Sequence, residues 1–349
     1  MKIALIIGTR PNYIKMLSVY ENLKNNQECL IVHTGQHSDK NMKDIFFEEL
    51  NLPNIDINLN IGFGTETWQL GQIIIKLEEE IIGKNIDLII VFGDVTSTLA
   101  GALVANKMKI KLAHVESGLR SNDLSMPEEI NRKLVDQISD YLFVTEQSGL
   151  VNLEKENIQG NIFYVGNTMI DTLVKFRDII EKRNYYQHLN LLSKEYIVIT
   201  LHRQNNVDNK NKLEEIILKF NIISEKYKII WVIHPRIKKM MLNMNISERI
   251  ILSDPLGYLD FMNLVLNCRC LVTDSGGVTE ESSYLSIPCV TLRYNTERPS
   301  TLIENGGSNK LVCIDNLEEE IENIGEFDCK IDLWDGLSGN RIGEIINII

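Results

Sequence analysis

Ile3-Ala4-Leu5-Ile6-Ile7-Gly8-Thr9-Arg10-Pro11-Asn12-Tyr13-Ile14-Lys15 sets five apolar residues before a glycine and, three positions on, a proline. The run is too short for a helix and apolar throughout, as in a strand covered on both faces. Gly8 supplies a tight turn and Pro11 suits the first position of a helix, so a helix follows at once. Strand, turn and helix in that order open a parallel βαβ unit.

The pattern recurs outward along the chain. Strands are expected at 30–33, 88–92, 111–115, 141–144 and 162–165, and again at 196–200, 229–234, 250–252, 271–273 and 289–292, with helical periodicity between them. A polar, helical stretch over 175–190 separates the two sets. The expected fold is α/β, two Rossmann-like doubly wound domains facing a cleft: residues 1–175 carry the acid/base groups and 190–332 the nucleotide site. A length of 349 residues suits two domains at roughly 100 to 200 residues each.

Composition narrows the function. Of the charged residues, 36 are basic and 48 acidic, a formal charge of −12, which argues against a general nucleic-acid partner. No run approaches the roughly 18 apolar residues of a membrane span, and the first strand is too short for a secretory segment. A cytoplasmic address is expected. The six cysteines are scattered without a repeated spacing and read as reduced core thiols, with no metal site and no cofactor implied.

In open α/β sheets ligands bind beyond the carboxyl ends of the strands. Arg10 and Lys15 accompany the first helix N-terminus, an anion site in outline. Asp94 follows the strand 88–92, Glu116 closes the next, and Glu128 stands in Met126-Pro127-Glu128-Glu129. Three carboxylates at neighbouring strand ends are acid/base equipment. In the second half His202 and His234 end adjacent strands, with Arg203 and Arg236 close by. Thr273-Asp274-Ser275-Gly276-Gly277 bares backbone N–H groups at a helix start, a phosphate cradle. Glu281 one turn on could accept from ribose hydroxyls, and Tyr258 could stack on a base. Arg120, Arg132, Arg293 and Arg298 complete the candidate sugar or phosphate contacts. With so many cations after strands, a locally positive cleft is expected despite the net charge.

Those motifs resemble the non-hydrolysing UDP-N-acetylglucosamine 2-epimerases, whose fold is similar to that of GT-B glycosyltransferases. The resemblance runs in order through Gly8 to Lys15, Thr34-Gly35-Gln36-His37, Gly93-Asp94, Val115 to Arg120, Pro127 to Arg132, Gly166-Asn167-Thr168, His202-Arg203, Thr273 to Glu281 and Thr296-Glu297-Arg298-Pro299. It implies reversible conversion of UDP-GlcNAc to UDP-ManNAc, by elimination of UDP to a 2-acetamidoglucal and its re-addition. Asp94, Glu116, Glu128 and His202 would be catalytic; Arg10, Lys15, His202, Ser275, Gly276 and Gly277 would hold the diphosphate and Glu281 the ribose. It also implies a homodimer and a last helix, 333–349, packed back on the first domain.

The chain departs from the family pattern at Asn12, Ser117, Asp39 and Gln204-Asn205-Asn206; Asp39 and Gln204 fall where some members bind a second UDP-GlcNAc as activator. The stretches Gly93 to Thr98, Met126 to Glu129, His234 to Arg236 and Pro288 to Arg293 resemble a branch acting on UDP-2,3-diacetamido-glucuronate, where Arg293 or Arg236 would serve a sugar carboxylate. A hydrolysing epimerase or a GT-B glycosyltransferase would share the same fold and UDP site.

Overall fold

The computed structural model describes residues 1–36, 40–233, 235–241 and 244–349, without the side chains of 40–44, 204–205 and 235–236. The motif residues His37, Asp39 and His234 therefore lie outside the described residues, as do the side chains of Gln204 and Arg236. The chain divides into two compact units, Met1–Lys175 with Asp332–Ile349, and Phe176–Ile331.

Unit 1 is built on seven parallel strands, β1 (Lys2–Ile7), β2 (Glu28–His33), β3 (Ile57–Asn58), β4 (Leu88–Phe92), β5 (Lys111–Ser117), β6 (Tyr141–Val144) and β7 (Asn161–Tyr164). Their order is β3-β2-β1-β4-β5-β6-β7, with Ile3 opposite Leu88 and Ile6 opposite Val91. The helices are α1 (Arg10–Leu23), α2 (Lys40–Glu49), α3 (Glu66–Ile81), α4 (Thr96–Met108), α5 (Pro127–Ile138), α6 (Gln147–Lys155) and α7 (Thr168–Lys182), in which the division between units falls. Apolar faces of α3, α4 and the β1–β4 region close over Ile73, Leu77, Ile89, Val91 and Ala100, all fully buried.

Unit 2 has six parallel strands, β8 (Tyr196–Thr200), β9 (Lys228–Val232), β10 (Ile250–Ser253), β11 (Cys270–Thr273), β12 (Cys289–Thr291) and β13 (Asn309–Leu311), in the order β10-β9-β8-β11-β12-β13. Its helices are α8 (Tyr185–His188), α9 (Gln204–Val207), α10 (Lys210–Ile223), α11 (Pro235–Met240), α12 (Tyr258–Asn267), α13 (Gly276–Tyr284) and α14 (Leu317–Glu322). The core is anchored by Trp231 of β9 and Phe220 of α10, whose rings meet edge to face at 5.1 Å. Two short strands, β3 and β13, go beyond the expected set: neither Ile57-Asn58 nor Asn309-Lys310-Leu311 is an apolar run, and each simply extends a sheet at its edge.

The chain then returns to unit 1 as α15 (Ser338–Ile346). Asp171 caps this helix, accepting from the backbone N–H of Ser338 at 3.1 Å and of Gly339 at 2.6 Å. Gly339 lies so close to α1 that a Cβ would fall 2.7 Å from the Ser18 backbone. Among the described residues no helix is long and apolar enough to cross a membrane.

Truncating the edge-to-face pair tests this core. Phe220→Ala is expected to cost about 3–5 kcal/mol, read from the urea midpoint at unchanged slope; a loss under about 1 kcal/mol would contradict the packing described.

Candidate active site

In both sheets two neighbouring strands send the chain in opposite directions along the sheet order, β1 beside β4 and β8 beside β11. Such switch points leave room between the turns that follow the strands. In unit 1 Asn12 occupies the first of these. Its Oδ1 accepts from the N–H of Gly8 and of Thr9, each at 3.1 Å, while its Nδ2 donates to the Phe92 carbonyl at 3.0 Å. The buried Asn12 thus ties the turn after β1 to the end of β4.

Lys15, expected on the diphosphate, is buried and ion-paired with the equally buried Glu116. Gly93 packs against this pair: its φ of +65° favours glycine, and an added Cβ would stand 3.0 Å from Lys15 Nζ. Glu116 itself sits at φ +74°, where the β5–β6 register slips by one residue. A non-glycine residue held there stores backbone strain of the kind that clusters at functional sites. Asp94, partly exposed, meets Arg132 Nη2 at 2.5 Å, and its own carbonyl accepts from Asn131 Nδ2 at 2.8 Å. Arg132 also meets Glu129 at 2.9 Å. Glu128 is half-buried in the first turn of α5.

Glu129, given no role by sequence, is fully buried and accepts from Ser121 N–H at 2.8 Å and Asn122 N–H at 3.1 Å, fixing the loop before α5. Arg120 is also a framework group: its guanidinium lies between Asp136 at 2.7 Å and Glu156 at 2.7 Å, under the surface. Arg10 heads α1 with its guanidinium 5.9 Å from the Phe46 ring centre.

In unit 2 the switch point joins His202 to Asp274. The Asp274 carboxylate accepts from the N–H of His202 and of Arg203, each at 3.0 Å, from Asn206 Nδ2 at 3.0 Å, and meets His202 Nδ1 at 3.1 Å. Burial alone would raise the Asp274 pKa, but His202, Asn206 and the backbone donors outweigh it and hold the group below the usual carboxylate range. A carboxylate on Nδ1 fixes the ring's orientation and tautomer. The His202 side chain is 53% exposed while Asp274 is fully buried, so the pair presents imidazole to solvent.

Ser275 precedes α13, and Gly276 and Gly277 form its first turn, where the helix dipole favours an anion. Gly276 admits no side chain, since a Cβ would lie 2.5 Å from Arg298 Nη1 and 2.6 Å from Glu297 Oε1. Buried Glu297 draws three guanidinium groups: Arg293 at 2.6 Å, Arg203 at 3.8 Å, and Arg298, which also meets Glu280 at 3.0 Å. The local positive charge expected around Lys15, Arg293 and Arg298 is therefore offset, cation by cation, by buried carboxylates. Tyr258 does not present a face for stacking; its ring is buried and its hydroxyl donates to Glu281 Oε1 at 2.7 Å. Burial pushes the Glu281 carboxyl up to about 7, the Tyr258 hydrogen bond opposing. Among the described residues no cluster of three His, Cys, Asp or Glu side chains is placed to hold a metal ion.

Two Rossmann-like units, one with a carboxylate at a strained strand end and the other with a helix N-terminus beside a histidine–aspartate pair, define a nucleotide-sugar enzyme of GT-B-like fold. The chain belongs to the UDP-N-acetylglucosamine 2-epimerase family, whose model matches residues 21–347. It is 44% identical over 365 residues to the UDP-N-acetylglucosamine 2-epimerase of Methanocaldococcus jannaschii, covering 99% of each chain. The crystal structure of the M. jannaschii UDP-GlcNAc 2-epimerase in complex with UDP-GlcNAc and UDP superposes with a TM-score of 0.93 over 100% of both chains, at 43% identity. The UDP-2,3-diacetamido-2,3-dideoxy-D-glucuronate 2-epimerase of Pseudomonas aeruginosa is 38% identical over 304 residues, covering 85% of this chain and 84% of the relative.

The Glu281 environment has a consequence for stability. A carboxyl at about 7 in the folded chain and 4.5 when exposed stabilises the fold below pH 4.5 and loses that contribution as pH rises to about 7. Between pH 5 and pH 8, wild type should therefore lose on the order of 3 kcal/mol relative to Glu281→Gln. Parallel pH curves for the two proteins, from urea unfolding, would contradict that environment.

Proposed function

We propose that the chain interconverts UDP-GlcNAc and UDP-ManNAc. The C2 hydrogen of such a sugar lies beside a carbon bearing oxygen, not beside a carbonyl, and is barely acidic. Removal becomes feasible when the C2–H electron pair forms a C1=C2 double bond as UDP departs with the C1–O pair. The 2-acetamidoglucal then takes UDP back at C1 and a proton at C2 on the opposite face.

The observation that carries the reading is Glu116 held at positive φ against Lys15, one strand over from Asp94 held by Arg132. These are two carboxylates, each fixed by a buried cation, at neighbouring strand ends; with Glu128 they form the acid/base set. In unit 2 the α13 N-terminus and the oriented His202 stabilise negative charge on departing UDP, which grows in the transition state; in unit 1 Arg10 heads α1 as a candidate anion-binding group. Glu281 accepts from the ribose, its buried carboxyl already taking one hydroxyl donor, that of Tyr258, and keeping acceptor capacity for more. The glucuronate substrate would need a cation for its sugar carboxylate: of the two expected, Arg293 is engaged by Glu297 and the Arg236 side chain lies outside the described residues. Of the six cysteines expected in the core, Cys268, Cys270 and Cys289 are buried, Cys29 and Cys329 are partly exposed and Cys313 is exposed; all are free, which suits a reducing, cytoplasmic setting.

The enzyme acts as a homodimer. Trp68, Ile75 and Ile82 stand 46%, 51% and 66% exposed at seven-residue spacing along α3 and its end, an apolar stripe suited to a second copy. Light scattering should give twice the chain mass, and Trp68→Glu with Ile75→Glu the single mass; a wild-type monomer would refute the dimer.

Activity is tested with purified protein and UDP-GlcNAc in D2O. Deuterium is expected at C2, with UDP-ManNAc formed. Asp94→Asn, Glu116→Gln and Glu128→Gln should each lose turnover by about 100- to 10,000-fold with UDP affinity within about tenfold. Free sugar released in step with UDP would instead mean hydrolysis, and absence of C2 exchange would overturn the reading.

A further inference from the structure

We propose that His114 and Asp136 form a buried positioning pair that sets the backbone at both acid/base carboxylates, Asp94 and Glu116; this rests on the role given to those carboxylates above. His114 of β5 and Asp136 of α5 are fully buried. Nδ1 of His114 meets Asp136 Oδ1 at 2.7 Å and Nε2 meets the Gly93 carbonyl at 2.8 Å. A carbonyl only accepts, so Nε2–H donates, and it donates to the residue immediately before Asp94. The other Asp136 oxygen accepts from Gly118 N–H at 3.1 Å and from Arg120 at 2.7 Å. Gly118 is two residues beyond Glu116.

The backbone conformations give this network its meaning. Gly93, Glu116 and Gly118 have φ of +65°, +74° and +82°. Positive φ at Glu116 persists only where the surroundings over-determine it. The flanking residues His114 and Gly118 are each bonded to Asp136, so the pair clamps the chain on both sides of Glu116, and the same imidazole holds the turn that aims Asp94. Burial works against an ionised Asp136, but His114 and Arg120 outweigh it and keep the carboxyl below its usual range. Arg120 is backed in turn by Glu156, with Lys133 at 3.5 Å from the same carboxylate. Neither His114 nor Asp136 reaches the surface, so they act through Gly93 and Gly118 and not on substrate.

An Asn side chain places its amide where Nδ1 stands, and a Gln side chain reaches the place of Nε2. His114→Gln therefore keeps the bond to the Gly93 carbonyl while Asp136, losing its Nδ1 partner, stays held by Gly118 and Arg120; His114→Asn keeps the Asp136 bond and loses the one to Gly93. For His114→Asn, kcat should fall at least about tenfold with KM for UDP-GlcNAc within about threefold, while His114→Gln stays within about threefold of wild type. A purely structural role would lower the melting temperature of both variants without splitting them in kcat. A His114→Asn variant with kcat within about twofold of wild type, or a Gln variant as slow as the Asn variant, overturns the proposal. Should His114→Asn give no folded protein, Asp136→Asn replaces it with the same expected loss of kcat at unchanged KM. If that also fails to fold, His114→Gln decides alone, near-wild-type kcat supporting the proposal and a loss beyond about tenfold overturning it. Failure of the underlying reading looks different, since wild type would then show no C2 exchange, whereas failure of this proposal leaves wild-type exchange intact.

Discussion

Parallel pairing of β1 with β4, and of β8 with β11, is the constraint from which the site residues take their places. It brings the turns after non-consecutive strands side by side, where buried polar groups can bridge them. Asn12 spans from the first turn to Phe92, and Asp274 reaches back from the end of β11 to the N–H groups that follow β8. Backbone donors exposed at these turns need partners when buried. Side chains that supply them are fixed by the same bonds, so the demand for hydrogen-bond satisfaction also orients the chemistry.

Charge follows the same rule. Lys15, Arg120, Arg132, Arg293 and Arg298 are all buried, and each meets at least one carboxylate. An isolated buried charge is costly, and pairing with good geometry is the condition for keeping it. The net −12 and the cations after strands are thus compatible: the cations are placed by the carboxylates, and the arrangement fixes where a developing charge can be met.

The strands with continuous apolar runs, such as Leu88-Ile89-Ile90-Val91-Phe92, are legible because two-sided burial leaves its mark residue by residue. So are the glycine turn at Gly8 and the start of α1 at Arg10-Pro11. Tyr258, by contrast, reads as a candidate stacking ring from its neighbours alone. Its role on Glu281 depends on packing α12 against α13, elements 23 residues apart at that contact. Glu129, His114 and Asp136 are comparable: local sequence offers a charged residue on a helix or a histidine in a strand, and only the register of β4, β5 and α5 reveals what each one holds. Polar groups that serve the backbone carry no periodic signal, so they emerge from topology.

Two histidine–aspartate pairs show how burial divides labour between chemically identical parts. At His114 both ring nitrogens face acceptors and the side chain is wholly enclosed. A ring so engaged has its orientation determined from two sides, which suits a bracket for backbone. At His202 the aspartate again meets Nδ1, but the imidazole is half exposed and stands at a strand end beside Arg203. The aspartate holds that half-exposed ring in one orientation, the arrangement of a preorganised group facing solvent. The difference lies in the topology: His114 is inside β5, between β4 and β6, whereas His202 lies two residues past the end of β8, where the sheet stops covering it.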